Sequence, residues 1–171
     1  MIVDKALEGI RVIDMTHDQA GPSCTQMLAW LGAEVIKVEM ADGRGDRARW
    51  LRRDASDLDS FFFSLLNNNK KSTTLNLKDP RGIEIFKTLI GQADIMVENR
   101  GPGAMDRLGI GYEDLREINP RLIYASVKGF GSFGPYSDYK CFEPVAQATS
   151  GAMSTTGFQD RPPSPMGANV G

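Results

Sequence analysis

Histidine occurs once in these 171 residues, at His17, and cysteine twice, at Cys24 and Cys141. Two cysteines so far apart supply neither a disulfide framework nor a thiolate metal cage, and one histidine by itself makes no zinc site and no histidine-based triad. An excess of either charge is missing too. Lys and Arg total 20 against 22 for Asp and Glu, a net charge of -2, so no global field favours nucleic acid or an anionic membrane. The longest greasy stretch, Phe61 to Leu66, is far below the roughly 20 residues needed to cross a bilayer. Asp4, Lys5, Glu8 and Arg11 leave no apolar core for a secretory signal. These absences predict a soluble, cytoplasmic protein with reduced thiols, no metal, and no nucleic-acid or membrane partner.

What is present is an alternation. Ile10 to Met15, Glu34 to Glu39, Ser72 to Leu77, Asp94 to Glu98 and Leu122 to Val127 are short runs rich in β-branched residues, and most read as strands buried on both faces. Between them, Pro22 to Leu31 and Pro80 to Ala93 read as helices that carry proline in the first turn, where a missing N–H costs nothing. In the second, Ile83, Phe86, Leu89 and Ile90 form one apolar face. This order predicts a Rossmann-like α/β domain with a mainly parallel sheet and crossover helices. At this length one domain is expected, because about 150 residues bury roughly 68–70% of their unfolded surface.

The other segments are less regular. Met40 to Asp59 has almost no apolar period and reads as a surface excursion, while Asn67 to Lys71 reads as a polar turn. Tyr112 to Ile118 is expected to be a short helix closed by Asn119 and Pro120, and Pro144 to Gly151 a small-residue helix. Gly129 to Tyr139 is loop chemistry. Many glycines and prolines fall just after the expected strands, where α/β sheets take their ligands.

The first such place is His17 to Pro22. It follows the first strand and opens the first helix, so backbone N–H groups and the positive helix end face outward there. The segment carries no G-x-G-x-x-G and no Gly-Lys-Ser/Thr, which removes the dinucleotide and P-loop fingerprints. It reads either as an anion site or as a plain strand-to-helix turn. Glu143, just before the small-residue helix, reads by itself as a carboxylate favoured by the helix dipole. Cys141 has no histidine near it in sequence, which disfavours a thiol nucleophile.

A longer pattern of blocks adds to these readings. His17 to Pro22, Gly32 to Glu39 (GAEVIKVE), Asn67 to Lys70 (NNNK), Val97 to Gly103 (VENRGPG), Met105 to Gly109, Asn119 to Arg121 and Ser126 to Gly129 resemble, in the same order, the family III CoA-transferases of the CaiB/BaiF type, and the formyl-CoA transferase branch in particular. The resemblance covers essentially the whole chain. It implies CoA contacts at His17, Gln19 and Ala20, at Leu75, Asn76, Leu77 and Lys78, at Asn99, Arg100 and Gly101, and at Arg107 and Lys140. The chemistry agrees with that assignment. The phosphates of CoA suit Lys and Arg, with Arg107, Lys140 and Lys78 the candidates, and its adenine suits a flat apolar slot.

The resemblance also implies a mechanism. In the family, the run matching Gly167 to Gly171 (GANVG) leads directly into an aspartate that carries the acyl group. Residues 1–171 are therefore expected to hold the CoA-binding N-terminal part of the large domain and, alone, to be inactive. Glu143 and Gln19 are the catalytic candidates within them, and no tightly bound cofactor is required, coenzyme A thioester being a substrate. Acyl-CoA and a small carboxylic acid are the expected partners, with a homodimer for the full-length protein. Met40, Phe62 and Phe142 depart from the formyl-CoA transferase pattern, whereas Trp50 keeps it. A methylacyl-CoA racemase of the same fold would place a histidine near Lys140 to Glu143, and none is there. A non-catalytic CoA-binding fragment is the third reading.

Overall fold

The computed structural model describes residues 5–51 and 57–167. Two compact units divide the chain, 1–127 and 128–171.

The first unit is a five-stranded, wholly parallel sheet. In chain order it runs β1 (Arg11–Met15), α1 (Ala20–Trp30), β2 (Glu34–Met40), α2 (Phe61–Asn67), β3 (Lys71–Leu75), α3 (Pro80–Ile90), β4 (Ile95–Glu98), α4 (Tyr112–Ile118) and β5 (Ile123–Ser126), with short 3-10 turns at Arg47–Arg49 and Asp106–Leu108. The spatial order is β3-β2-β1-β4-β5, with Val12 paired to Val35 on one side and to Ile95 on the other. Parallel neighbours need crossovers, and helices supply them. The expected fold class is the one found.

Strand parity sorts the core into two layers. Ile13, Met15, Val38 and Met96 pack with Phe86, Ile90 and Leu115 of α3 and α4, whereas Val12, Val35 and Val97 pack with Ala29 of α1 and with Ala33 in the turn before β2. Phe86 and Ile90 are fully buried, and Ile83 and Leu89 pack against them. This is the face expected of α3. Burial on both faces holds for β1, β2 and β4 but not for the edge strands β3 and β5.

Three local expectations are corrected. The strand expected at Ser72 to Leu77 is Lys71–Leu75, because the Asn76 side chain accepts from the Lys78 amide at 3.1 Å and turns the chain. The stretch Phe61–Asn67 is a helix capped by Ser60, whose hydroxyl accepts from the Phe63 amide, so the polar turn shrinks to Asn68, Asn69 and Lys70. The excursion between β2 and α2 is also anchored inward. Asp46, Ala48 and Ser60 are buried, and the Ser60 hydroxyl donates to the Ala48 carbonyl at 2.6 Å.

The second unit holds α5 (Glu143–Thr149) and a 3-10 turn at Ala152–Thr155. Phe130, Tyr136 and Tyr139 cluster with ring centroids 5.4–6.4 Å apart. Of the GANVG run, residues 168–171 lie outside the described residues. Among the described residues, no helix is long and apolar enough to cross a membrane.

Candidate functional site

In a parallel sheet the crevice for ligands opens beyond the carboxyl ends of the strands, at the point where successive connections run to opposite sides. Here that point lies between β1 and β4. His17 follows β1 and Asn99 follows β4, and the two are joined: the His17 amide donates to Asn99 Oδ1 at 3.0 Å, and Asn99 Nδ2 donates to the His17 carbonyl at 2.7 Å. Asp18, next in the turn, has φ of 62°, a left-handed conformation that few non-glycine residues adopt and that Asp tolerates better than most. Gln19 is the N-cap of α1 and Ala20 its first residue.

Among the described residues, two cavities meet at this edge of the sheet. The larger, about 470 Å³, is lined by Met15, Val38, Met105 and Leu108 together with Leu75, Asn76, Leu77, Lys78 and Arg100. The smaller, about 120 Å³, is lined by Thr16, His17, Gly45, Asp46, Arg47 and Arg100. Val38, Glu39, Met40 and Arg100 belong to both. The arrangement brings the Leu75–Lys78 group, Arg100 and the His17 turn to one edge. Gly101 and Arg107 line neither cavity; Arg107 is exposed, and its Nη1 donates to the Pro102 carbonyl at 3.3 Å. Burial pulls the Arg100 guanidinium below its ordinary pKa. Burial, then the nearby Arg100 charge, lowers His17, which favours a neutral imidazole.

The opposite layer carries buried charge. Past Val12 and Val35, the residues of the same parity become Asp14, Lys37 and Glu39, all buried. Asp14 accepts from the Thr16 amide at 2.9 Å, from the Thr16 and Thr25 hydroxyls and from Lys70 Nζ at 3.0 Å. Lys70 also donates to the Pro22 carbonyl and to Asn67. Burial raises the Asp14 pKa, but Lys37, Lys70 and these hydroxyls outweigh it and leave it below the usual carboxylate value. Lys37 Nζ lies 2.8 Å from Asp46 Oδ2 and donates to the Thr16 carbonyl at 2.8 Å. Glu39 accepts a two-pronged bond from Arg49, at 2.6 and 2.7 Å, together with the Ser72 hydroxyl and the Asp46 amide. Against the opposing effect of burial, these donors hold Glu39 at about 2.

None of these buried charges was singled out from the sequence as a site residue. Their one signal was the charge at alternate positions of a strand, Lys37 and Glu39, where an interior strand carries apolar residues.

In the second unit, Glu143 is the first residue of α5. Its Oε1 accepts from the buried Gln147 Nε2 at 2.6 Å, and Gln147 Oε1 in turn accepts from the Met166 amide at 2.8 Å. Glu143 thus has a fixed partner as well as a place at a helix N-terminus. Lys140 is exposed in the same unit. Gly129, Gly131 and Gly134 have G-x-G-x-x-G spacing that sequence reading overlooked, yet the next helix begins only at Glu143, so no helix N-terminus meets that loop as a dinucleotide site requires.

The family model described as CoA-transferase family III matches residues 7–171. Among curated proteins, a formyl-CoA:oxalate CoA-transferase of Streptomyces avermitilis is 59% identical over 167 residues, 98% of this chain and 40% of that protein. A protein of the same name from Rhodopseudomonas palustris is 54% identical over 98% of this chain and 39% of its own length. Among solved structures, a CAIB/BAIF family protein from Brucella suis superposes with a TM-score of 0.91 at 35% identity, over 98% of this chain and 45% of that one. A hypothetical protein from Mycobacterium tuberculosis gives 0.87 at 35% identity, over 97% and 44%. The chain spans about 40% of the length of the curated relatives it matches.

Proposed function

The chain belongs to CoA-transferase family III, and on that premise we propose that the complete protein moves CoA between small carboxylic acids of the formyl-CoA and oxalate type. The single observation that carries the reading is the cleft of about 470 Å³, whose lining is mostly apolar and carries Lys78 and Arg100 beside Glu39 and Asp42. That pairing suits a ligand with a flat base at one end and phosphates beside it. Leu75 to Lys78, Arg100 and the His17, Gln19 and Ala20 turn are proposed as CoA contacts, with Asn99 holding that turn. Arg107, Gly101 and Lys140 are further contacts by family resemblance.

The proposed chemistry is covalent carboxylate catalysis by an aspartate expected directly after Gly171. Its carboxylate attacks the thioester carbonyl, forms a mixed anhydride and expels CoA thiolate. The thiolate attacks the aspartyl carbonyl of that anhydride, releasing the donor acid and leaving an aspartyl-CoA thioester. The acceptor carboxylate then attacks this thioester, and the freed thiolate takes the acceptor acyl group from the new anhydride. One thioester is exchanged for another, so the demands on the protein are to hold both acids, exclude water and stabilise oxyanions. Gln19 is the proposed donor to the acyl oxygen. By family resemblance Glu143, whose carboxylate accepts from Gln147, is proposed as a second catalytic carboxylate. A homodimer in the cytoplasm is part of the same proposal.

The test uses the full-length protein with formyl-CoA and oxalate. Transfer of CoA, with a hydroxylamine-sensitive enzyme-CoA adduct seen by mass spectrometry and abolished when the residue after Gly171 is replaced by alanine, is the expected result. Residues 1–171 alone are expected to give no turnover. Absence of CoA transfer in the full-length protein overturns the reading, and transfer without the adduct overturns the covalent route.

A further inference from the structure

We infer that Asp46 is a positioning residue of this site: its carboxylate fixes the turn that carries His17 and Gln19 against the segment that follows β2. The inference rests on the CoA-transferase reading above and names a residue that touches neither reacting group.

Asp46 is 4% exposed. One oxygen, Oδ1, accepts from two amides, Ala48 at 2.9 Å on its own segment and Asp18 at 3.3 Å in the turn. The other, Oδ2, is 2.8 Å from Lys37 Nζ, which donates to the Thr16 carbonyl at 2.8 Å. The pair therefore grips the turn at two places, through Lys37 at Thr16 and directly at Asp18. Between them stands His17, and Asp18 itself is left-handed at φ 62°, a conformation that persists where the surroundings determine it. On the outer side Arg47 Nε donates to Asp18 Oδ1 at 3.0 Å. The Glu39 carboxylate accepts from the Asp46 amide at 2.7 Å, so the clamp is itself anchored to β2.

A purely structural explanation is available for a buried ion pair, but such pairs are often no more stabilising than apolar residues of similar volume. The geometry here assigns something more specific. The Asp18 contact is made by Oδ1, the oxygen that does not face Lys37, so the charge pair and the turn contact can be separated by substitution.

The experiment measures the Kd for CoA by calorimetry in the full-length protein, with thermal midpoints recorded for each variant. Lys37→Met with Asp46→Asn removes both buried charges as a unit, together with the Lys37 bond to Thr16, and keeps a carboxamide oxygen for the two amides; its Kd is the reference for the variants that follow. Lys37→Met with Asp46→Ala removes the oxygen as well and is expected to bind at least tenfold more weakly. Equal affinity in the two double variants overturns the inference, whatever their midpoints. Should the alanine variant not fold, Lys37→Met with Asp46→Ser supplies the contrast, because serine still caps the Ala48 amide while falling short of Asp18. Binding tenfold weaker than in the asparagine double variant is expected there, and affinity equal to that variant's overturns the inference. A wild-type protein that does not bind CoA at all overturns the CoA-transferase reading itself, which is a different failure.

Discussion

The side-chain amide of Asn99 closes on both backbone groups of His17, at 3.0 Å to the N–H and 2.7 Å to the carbonyl. A carboxamide is the side chain that offers a donor and an acceptor together, and here it crosses the gap beyond β1 and β4. Replacing Asn99 by alanine leaves two part-buried backbone groups without this partner. The expected cost is about 1–3 kcal/mol of stability, read by urea unfolding, with CoA affinity in the full-length protein falling at the same time. A variant with wild-type stability and affinity would show that the bridge is incidental.

Acid should unfold the first unit partly through Glu39. Its folded pKa of about 2 lies below the ordinary 4.5, so its contribution is fully present above 4.5 and is lost as the pH falls from there towards 2. Glu39→Gln should cost about 1.5–3 kcal/mol at pH 7, the scale of hydrogen bonds to a charged group, and should flatten that acid limb. Lys71 and Arg11 also lower the Glu34 pKa, but Glu34 is part-exposed at the start of β2, where solvent screens ion pairs and they contribute little. Denaturant midpoints for Glu34→Gln should therefore track wild type across the same range, and a loss as large as that of Glu39→Gln would contradict the assignment of the acid limb to the buried network.

These two networks show where sequence reading stops. The strands were legible because Val, Ile and Thr cluster between turn residues, and α3 because Ile83, Phe86 and Ile90 recur at helical spacing. Phe61–Asn67 was not, because a continuous FFFSLL run has no period to read, and its cap Ser60 lies at the end of an aperiodic stretch. Composition marked Met40 to Asp59 as surface, yet Asp46 is buried because its partners come from elsewhere: Lys37 from β2 and Asp18 from the turn after β1. Such pairings depend on which strands become neighbours. The family resemblance pointed to Leu75–Lys78 and Arg100, which line one cleft, and equally to Arg107, which lines neither cavity.

Arg107 is thus the sharpest test among the proposed phosphate contacts. Its exposed guanidinium would be recruited only by ligand. Arg107→Ala is expected to weaken CoA binding by about 1.5–3 kcal/mol in calorimetry at low salt, with a smaller difference at high salt because exposed charges are screened. Equal affinity at low salt removes Arg107 from the site.

Gln147 separates the two readings of Glu143. It is 2% exposed and bonds both the Glu143 carboxylate and the Met166 amide. If that carboxylate takes part in the reaction, Gln147→Leu in the full-length protein should lower kcat at least tenfold with the acyl-CoA KM within threefold. An unchanged kcat would leave Glu143 as a dipole partner of α5 and nothing more.

The sheet order also dictates how this polypeptide must be assembled on the ribosome. Val12 finds Val35 soon after both are synthesised, but its other neighbour, Ile95, arrives only after α3 has emerged. If β1 and β2 pair during translation, the middle strand of the finished sheet spends that interval as an outer strand. Its backbone N–H and C=O groups are then open to pairing with other nascent chains. Slow codons or a missing chaperone between residues 40 and 95 would expose this stage most, and the yield of soluble protein, rather than its final stability, is where the effect would be felt.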